Sequence, residues 1–305
     1  MIEDMPVNYF KVLQNVLSQT RDVICKEYSM TDQQAFQASE DFIRENSLKW
    51  RLTDPAIQYS NPFCRMAYLY MNVAIHAALV EHALDTFREF TLLCKHRIAL
   101  GQEIRICALG GGPGSELLGL VRFLEKLKLS QPAYIDFTLI DRIKEWDESW
   151  HALKQGIDHH MFEEHGLNRS RWPAVISRSF LPLDVTSVND FKDFAVRFSG
   201  IDIFIFCYLS SELSEYISRF EETLTLLITR AAPGALLLFI DRDEKPVRET
   251  IEQLIKNNPI LKFVRKKQER GKLDDDMRDL GEWFINIPSL PRQHWLTFFL
   301  LGRKK

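Results

Sequence analysis

The stretch Ala108 to Glu116, ALGGGPGSE, follows the apolar run IRICAL and sets Gly110, Gly111, Gly112, Pro113 and Gly114 in succession. Glycine backbone adopts positive φ without strain and lets a ligand approach closely. The residues after it, SELLGLVRFLEKLKL, place apolar side chains at helical spacing. A buried strand, a glycine loop and a helix in this order bring a ligand against backbone N–H groups at the top of a sheet. Two ligand classes fail on spacing. A phosphate-cradling loop needs a Gly-Lys-Ser/Thr ending, and the first lysine after the glycines is Lys126. A dinucleotide fingerprint counted from Gly110 needs Gly or Ala where Ser115 stands. The pattern that fits is G-x-G-x-G over Gly110, Gly112 and Gly114; the alternative is a purely structural corner.

The chain on either side of this loop has two textures. Residues 1–100 carry almost no strand signal, and Leu69, Val73, Ala77, Val80, Leu84 and Phe87 step by three or four along one helix face, with a start signal at Asn61-Pro62. This predicts an N-terminal helical region, either packed on the next domain or also covering its site as a cap or lid. Residues 101–305 read as an α/β domain. The runs 104–109, 135–140, 201–209, 235–240, 261–264 and 295–301 are apolar at nearly every position, the signature of strands buried on both faces by helices. The charged stretch 265–282 reads as a solvated loop, the alternative being a segment that touches substrate, and the last two runs suit an antiparallel pair because no helix-sized crossover separates them.

Composition narrows the class of partner only weakly. A formal net charge of -3 provides no global field for nucleic acid or an anionic membrane. The five cysteines are scattered and form no C-x-x-C pair, which points to a reduced intracellular compartment, cytoplasmic or nuclear. The start MIEDMPVNYF lacks a secretory pattern, and the apolar stretch 66–80 is interrupted by Asn72 and His76 and falls short of a bilayer span, so a soluble chain without a membrane partner is expected. In DHHMFEEHGL, His160 and Glu164 would share a helix face, but the spacing nominates no third ligand and no metal is expected.

Downstream residues extend the reading of the loop. Asp141 ends the run IDFTLI, where it can accept two ribose hydroxyls or cap the helix that follows. Asp184 follows an apolar segment in FLPLDVT, and Trp146 and Trp150 can stack on a base or pack on the sheet. The stretch FCYLSSELSEY brings Cys207, Tyr208, Ser211 and Glu212 after a strand, with Ser210 or Ser211 as alternative helix caps.

On these motifs the sequence resembles the class I S-adenosylmethionine-dependent methyltransferases. The resemblance implies a doubly wound, mostly parallel, seven-stranded Rossmann-like sheet with an antiparallel last strand. It also implies S-adenosylmethionine as cofactor and S-adenosylhomocysteine as product. Gly110, Gly111, Gly112 and Gly114 would pass under the methionine and ribose, Asp141 with Arg142 would meet the ribose, Asp184 with Val185 the adenine, and Cys207 and Tyr208 the cofactor. Many members carry an acid two positions before the first loop glycine, where this chain has Ala108; Glu116 would then hold the methionine amino group. Over roughly 104–241 the set GGGPGSELLG, DRIKEWDESW, FIFCYLSSELSEY and PGALLLFIDRD is similar to a poorly characterised methyltransferase group that includes ribosomal RNA uridine-N3 enzymes. That likeness implies Glu212 and Ser211 as the catalytic pair and RNA, slightly favoured, as acceptor. A small molecule beneath a helical lid and a noncatalytic scaffold of the same fold are the other readings. The oligomeric state is open.

Overall fold

Strands that are apolar at every position need cover on both faces, and this chain supplies it with helices from both halves. The computed structural model describes residues 7–52, 57–129, 132–160, 174–213 and 216–305. Helices α1 (Tyr9–Tyr28), α2 (Asp32–Leu52), α3 (Pro62–Thr86) and α4 (Arg88–Ala99) come first. Then follow β1 (Ile104–Leu109), α5 (Ser115–Lys126), β2 (Ala133–Ile140), α6 (Trp146–His159) and β3 (Ala174–Leu181). The second half runs α7 (Val188–Asp193), β4 (Ile203–Cys207), α8 (Leu209–Glu212), α9 (Ile217–Arg230), β5 (Leu236–Arg242), α10 (Lys245–Asn257), β6 (Leu261–Lys272), α11 (Glu282–Asn286) and β7 (His294–Lys304).

The seven strands form one sheet in the order β3-β2-β1-β4-β5-β7-β6. Strands β1 to β5 pair in parallel, and β7 inserts antiparallel between β5 and β6. This is the expected doubly wound, mostly parallel seven-stranded sheet with an antiparallel last strand. Alternate residues divide between two cores: Ile106, Ala108, Phe137, Ile205 and Leu238 face α1, α3, α5 and α6, while Cys107, Leu109, Phe206 and Phe239 face α9 and α10.

Helix α3 is the N-terminal segment on which the rest packs. Asn61 caps it through Oδ1 to the amides of Phe63 and Cys64, and Pro62 occupies its first turn. The expected stripe from Leu69 to Phe87 is buried, and so are most residues on the other faces. It is the one described helix long and apolar enough to cross a bilayer, with a mean hydropathy of 1.3, yet 83% of that window is buried inside the protein. Gly119 of α5 lets the two helices touch at backbone level, because a Cβ there would stand 2.3 Å from the Ala77 carbonyl oxygen. The N-terminal helices therefore share one continuous core with the sheet. A polar knot fastens them further: Tyr9 donates to Glu81 at 2.5 Å, Lys126 meets the other Glu81 oxygen, and Arg122 stacks on the Tyr9 ring while pairing with Asp275.

Two elements depart from the sequence reading. Strand β3 was not among the expected runs; as an edge strand it carries Ser177, Arg178 and Ser179, with Arg178 paired to Asp158 of α6. The stretch 265–282 is not all loop, since β6 continues through Lys272. Its charge density suits an exposed edge, where lysines discourage pairing with other chains. Residues 161–165, part of the His/Glu motif, lie outside the described residues.

We expect Gly119→Ala to lower stability by about 1–3 kcal/mol through overpacking against α3; urea unfolding of the two proteins checks this.

Candidate cofactor-binding site

The strand order reverses between β1 and β4, and the carboxyl ends of strands at such a point frame a crevice. Here the glycine loop takes the shape its sequence permits. Gly110, Gly112 and Gly114 all have positive φ, at 67°, 49° and 91°, whereas Gly111 does not. Gly111 is required for space instead: a Cβ there would meet Leu139 at 2.2 Å and Glu116 Oε2 at 3.1 Å. The amides of Gly110 and Gly111 both donate to the Ile140 carbonyl, at 2.8 and 3.3 Å, which locks the loop to the end of β2.

Asp141 completes this lock. Its Oδ2 accepts the Gly112 amide and its Oδ1 accepts the Ile143 amide, each at 2.9 Å. It does not cap α6, whose N-cap is Glu145. Burial raises the Asp141 carboxyl to about 6 against the lowering effect of these two amides. Each oxygen keeps a second lone pair for another donor.

Asp141 borders a cavity of about 240 Å³. The glycine loop contributes Gly110 and Gly112; the segment after β2 contributes Arg142, Ile143 and Trp146; the loop after β3 contributes Leu183, Asp184 and Val185. The segment after β4 adds Leu209, Glu212, Leu213 and Tyr216. Asp184 Oδ1 accepts from the amide and hydroxyl of Thr186, which fixes its turn. Glu212 is exposed at the cavity, where desolvation by the surrounding wall and then the charges of Asp141 and Asp241 raise its carboxyl to about 7.

Other expected residues stand behind this wall. Gly111, Gly114, Glu116, Cys207, Tyr208 and Ser211 do not line the cavity. Ser211 donates its hydroxyl to the Tyr208 carbonyl and its amide to Asp241, so it braces the turn after β4. Neither Ser210 nor Ser211 caps α8; Tyr208 holds that position with φ 58°. A tyrosine in that left-handed region costs about 1–3 kcal/mol of local strain. The Tyr208 ring packs 4.8 Å from His76, and its amide donates to Ile240. The buried Cys207 thiol is pushed well above its usual range, which makes it a packing group. Trp150 also packs, lying beneath Gly114 and against Phe137.

Tyr59 and Tyr68, from the N-terminal region, line the cavity and were not anticipated from sequence. Their rings stand 5.6 Å apart, and Trp146 lies 5.3 and 5.4 Å from them. Asp241 was also missed; it sits at the end of β5, buried, with its carboxyl raised to about 6 by that burial. The rule that selected Asp141, an acid directly after an apolar strand, would have found it.

No protein-family model and no curated protein matches this sequence. Solved structures similar to it include an S-adenosylmethionine-dependent methyltransferase from Methanosarcina mazei, with 10% identity, 66% of this chain and 92% of that one covered, and a TM-score of 0.41. The magnesium protoporphyrin IX methyltransferase of Synechocystis PCC 6803, solved with S-adenosylmethionine, shares 12% identity over 89% of this chain and 97% of that one, at a TM-score of 0.39. A loganic acid methyltransferase with S-adenosylhomocysteine shares 9% identity over 77% and 96%, at 0.44. Likenesses this remote carry no weight for the chemistry of this chain, whose own sheet order and side chains have to supply it.

A carboxyl whose folded pKa lies above its ordinary value withdraws stability as pH rises between the two. For Glu212 that window runs from 4.5 to about 7. We therefore expect Glu212→Gln to melt at a higher temperature than the parent at pH 8, with the difference closing below pH 5, as read by differential scanning calorimetry across pH.

Proposed function

We propose that the protein is an S-adenosylmethionine-dependent methyltransferase. The observation that carries the reading is one cavity at the strand-order reversal bordered by positive-φ glycines and by acids after two successive strands, Asp141 and Asp184. Asp141 fits a ribose because both of its oxygens retain an acceptor site beside the loop. Asp184, with Leu183 and Val185, fits an adenine through one polar edge and two apolar faces. The cofactor supplies an activated methyl group. The protein's own part is alignment, with a base where the acceptor must lose a proton. Glu212 is the group for that role, since a carboxyl raised to about 7 is half ionised near neutral pH.

The acceptor reading supported best is a small uncharged or cationic molecule. Among the described residues Asp141, Asp184 and Glu212 line the cavity against the single cation Arg142, and Tyr59 and Tyr68 of the N-terminal region form part of its wall. Phosphates are disfavoured by that balance. An RNA acceptor remains the second reading because β6 carries Lys262, Arg265, Lys266, Lys267, Arg270 and Lys272 against one acid, Glu269. Three of those cations, Arg265, Lys266 and Lys267, are already paired with acids.

Calorimetry with S-adenosylmethionine and S-adenosylhomocysteine tests the cofactor. Binding by the parent with at least tenfold weakening in Asp141→Ala is expected; no binding at millimolar ligand would leave a noncatalytic scaffold. Tritium transfer from labelled cofactor into metabolite pools, total RNA and protein extract separates the acceptors. With the acceptor in hand, Glu212→Gln should lower kcat by about 10²–10⁴-fold while cofactor affinity stays within about threefold, since the base acts on the acceptor rather than on the cofactor.

A further inference from the structure

A second cavity, of about 500 Å³, lies at the opposite end of the sheet from the crevice. Its walls come from α4, from Gln102 before β1, Asp202 before β4, the turn 233–236 before β5 and Arg303 near the end of antiparallel β7. These are the amino ends of the parallel strands, and the cavity shares no residue with the one at Asp141. Its volume falls in the range that small-molecule sites occupy.

Several polar groups in this wall are spent on one another. Arg97 donates to Gln102 at 2.8 Å and pairs with Asp202, whose other oxygen accepts the Arg105 amide at 3.0 Å. Two groups are left over. Glu89 gives one oxygen to Arg265, at 3.4 Å, while its Oε2 is buried without a hydrogen-bond partner. Arg303 Nε is likewise buried without a partner, and no ion pair joins this guanidinium to an acid among the described residues. Arg303 and Glu89 therefore do not neutralise each other, although both border the same space. Leu92, Leu93, Pro233 and Leu236 make much of the remaining wall apolar.

A buried donor and a buried acceptor left unpaired each carry a desolvation cost that a ligand can recover. A simple anion would satisfy Arg303 and leave Glu89 Oε2 as it is; a simple cation would do the reverse. A molecule that holds a carboxylate and an ammonium together satisfies both, and the apolar wall calls for an apolar body. We propose that this cavity binds a free amino acid with an aliphatic side chain, its carboxylate on Arg303, its ammonium on Glu89 and its side chain against Leu92, Leu93 and Pro233. No covalent bond changes on binding. The site stands independently of the cofactor reading, since it uses none of the groups at the crevice.

Calorimetry on the whole chain tests it with three probes that share one carbon skeleton: L-leucine, 4-methylpentanoate, which lacks the ammonium, and 3-methylbutylamine, which lacks the carboxylate. Leucine should bind, and each truncated probe should bind about tenfold or more weakly, because each forfeits one charge-assisted pair. In Arg303→Gln, leucine should fall to the level of 3-methylbutylamine, and the variant should no longer distinguish the two. In Glu89→Gln, leucine and 4-methylpentanoate should converge in the same way. The parent's preference among the probes needs no variant, so it decides the matter even where loss of the Glu89–Arg265 pair keeps Glu89→Gln from folding. No heat with leucine at about 10 mM, equal affinities of the parent for all three probes, or an unchanged leucine affinity in Arg303→Gln would overturn the site.

Discussion

A single carboxylate sets the geometry on which the crevice depends. Asp141 takes the Gly112 amide on one oxygen and the Ile143 amide on the other, so the end of β2 dictates where the glycine loop after β1 can lie. The Ile140 carbonyl reinforces the arrangement by accepting from Gly110 and Gly111. Positive φ at Gly110, Gly112 and Gly114 is the backbone's side of the same constraint: the loop must turn sharply enough to present its amides to those acceptors. Cavity and loop are thus one hydrogen-bonded unit, and a ligand at Asp141 would join a network already assembled, which lowers the cost of ordering on binding.

That unit was legible in the sequence because each part carries a strong local signal. Glycine spacing announces positive φ, a run such as IDFTLI announces a strand buried on both faces, and an acid at its end announces the top of the sheet. Signals failed where the environment is mixed. Strand β3 sits at an edge, and its central SRS breaks the apolar run. Strand β6 is charged because it forms the opposite edge, and its pairing with β7 comes from distant residues. Tyr59 and Tyr68 could not be assigned to the cavity, since their position depends on how α3 crosses the sheet rather than on anything local.

The site also concentrates groups held away from their ordinary ionisation. Glu116, Asp141, Glu212 and Asp241 are all raised, burial being the first cause in each. Four acids in one region work against stability at neutral pH, whereas the knot of Tyr9, Glu81, Arg122, Lys126 and Asp275 pairs its charges directly. Strain at Tyr208 adds to the local cost. Placing destabilised groups around a crevice while neighbouring elements stay well packed is a pattern expected of binding sites.

The all-round burial of α3 has a consequence for how the chain comes into being. This helix is synthesised well before β4, β5 and β7, whose side chains share the core it enters. Until those strands emerge, a 25-residue helix as apolar as a membrane span has no complete surface to cover it. Native contacts of such long sequence separation slow folding and lengthen the exposure of the intermediate. The helix is therefore left with uncovered apolar surface on the growing chain until the second half of the sheet follows the first.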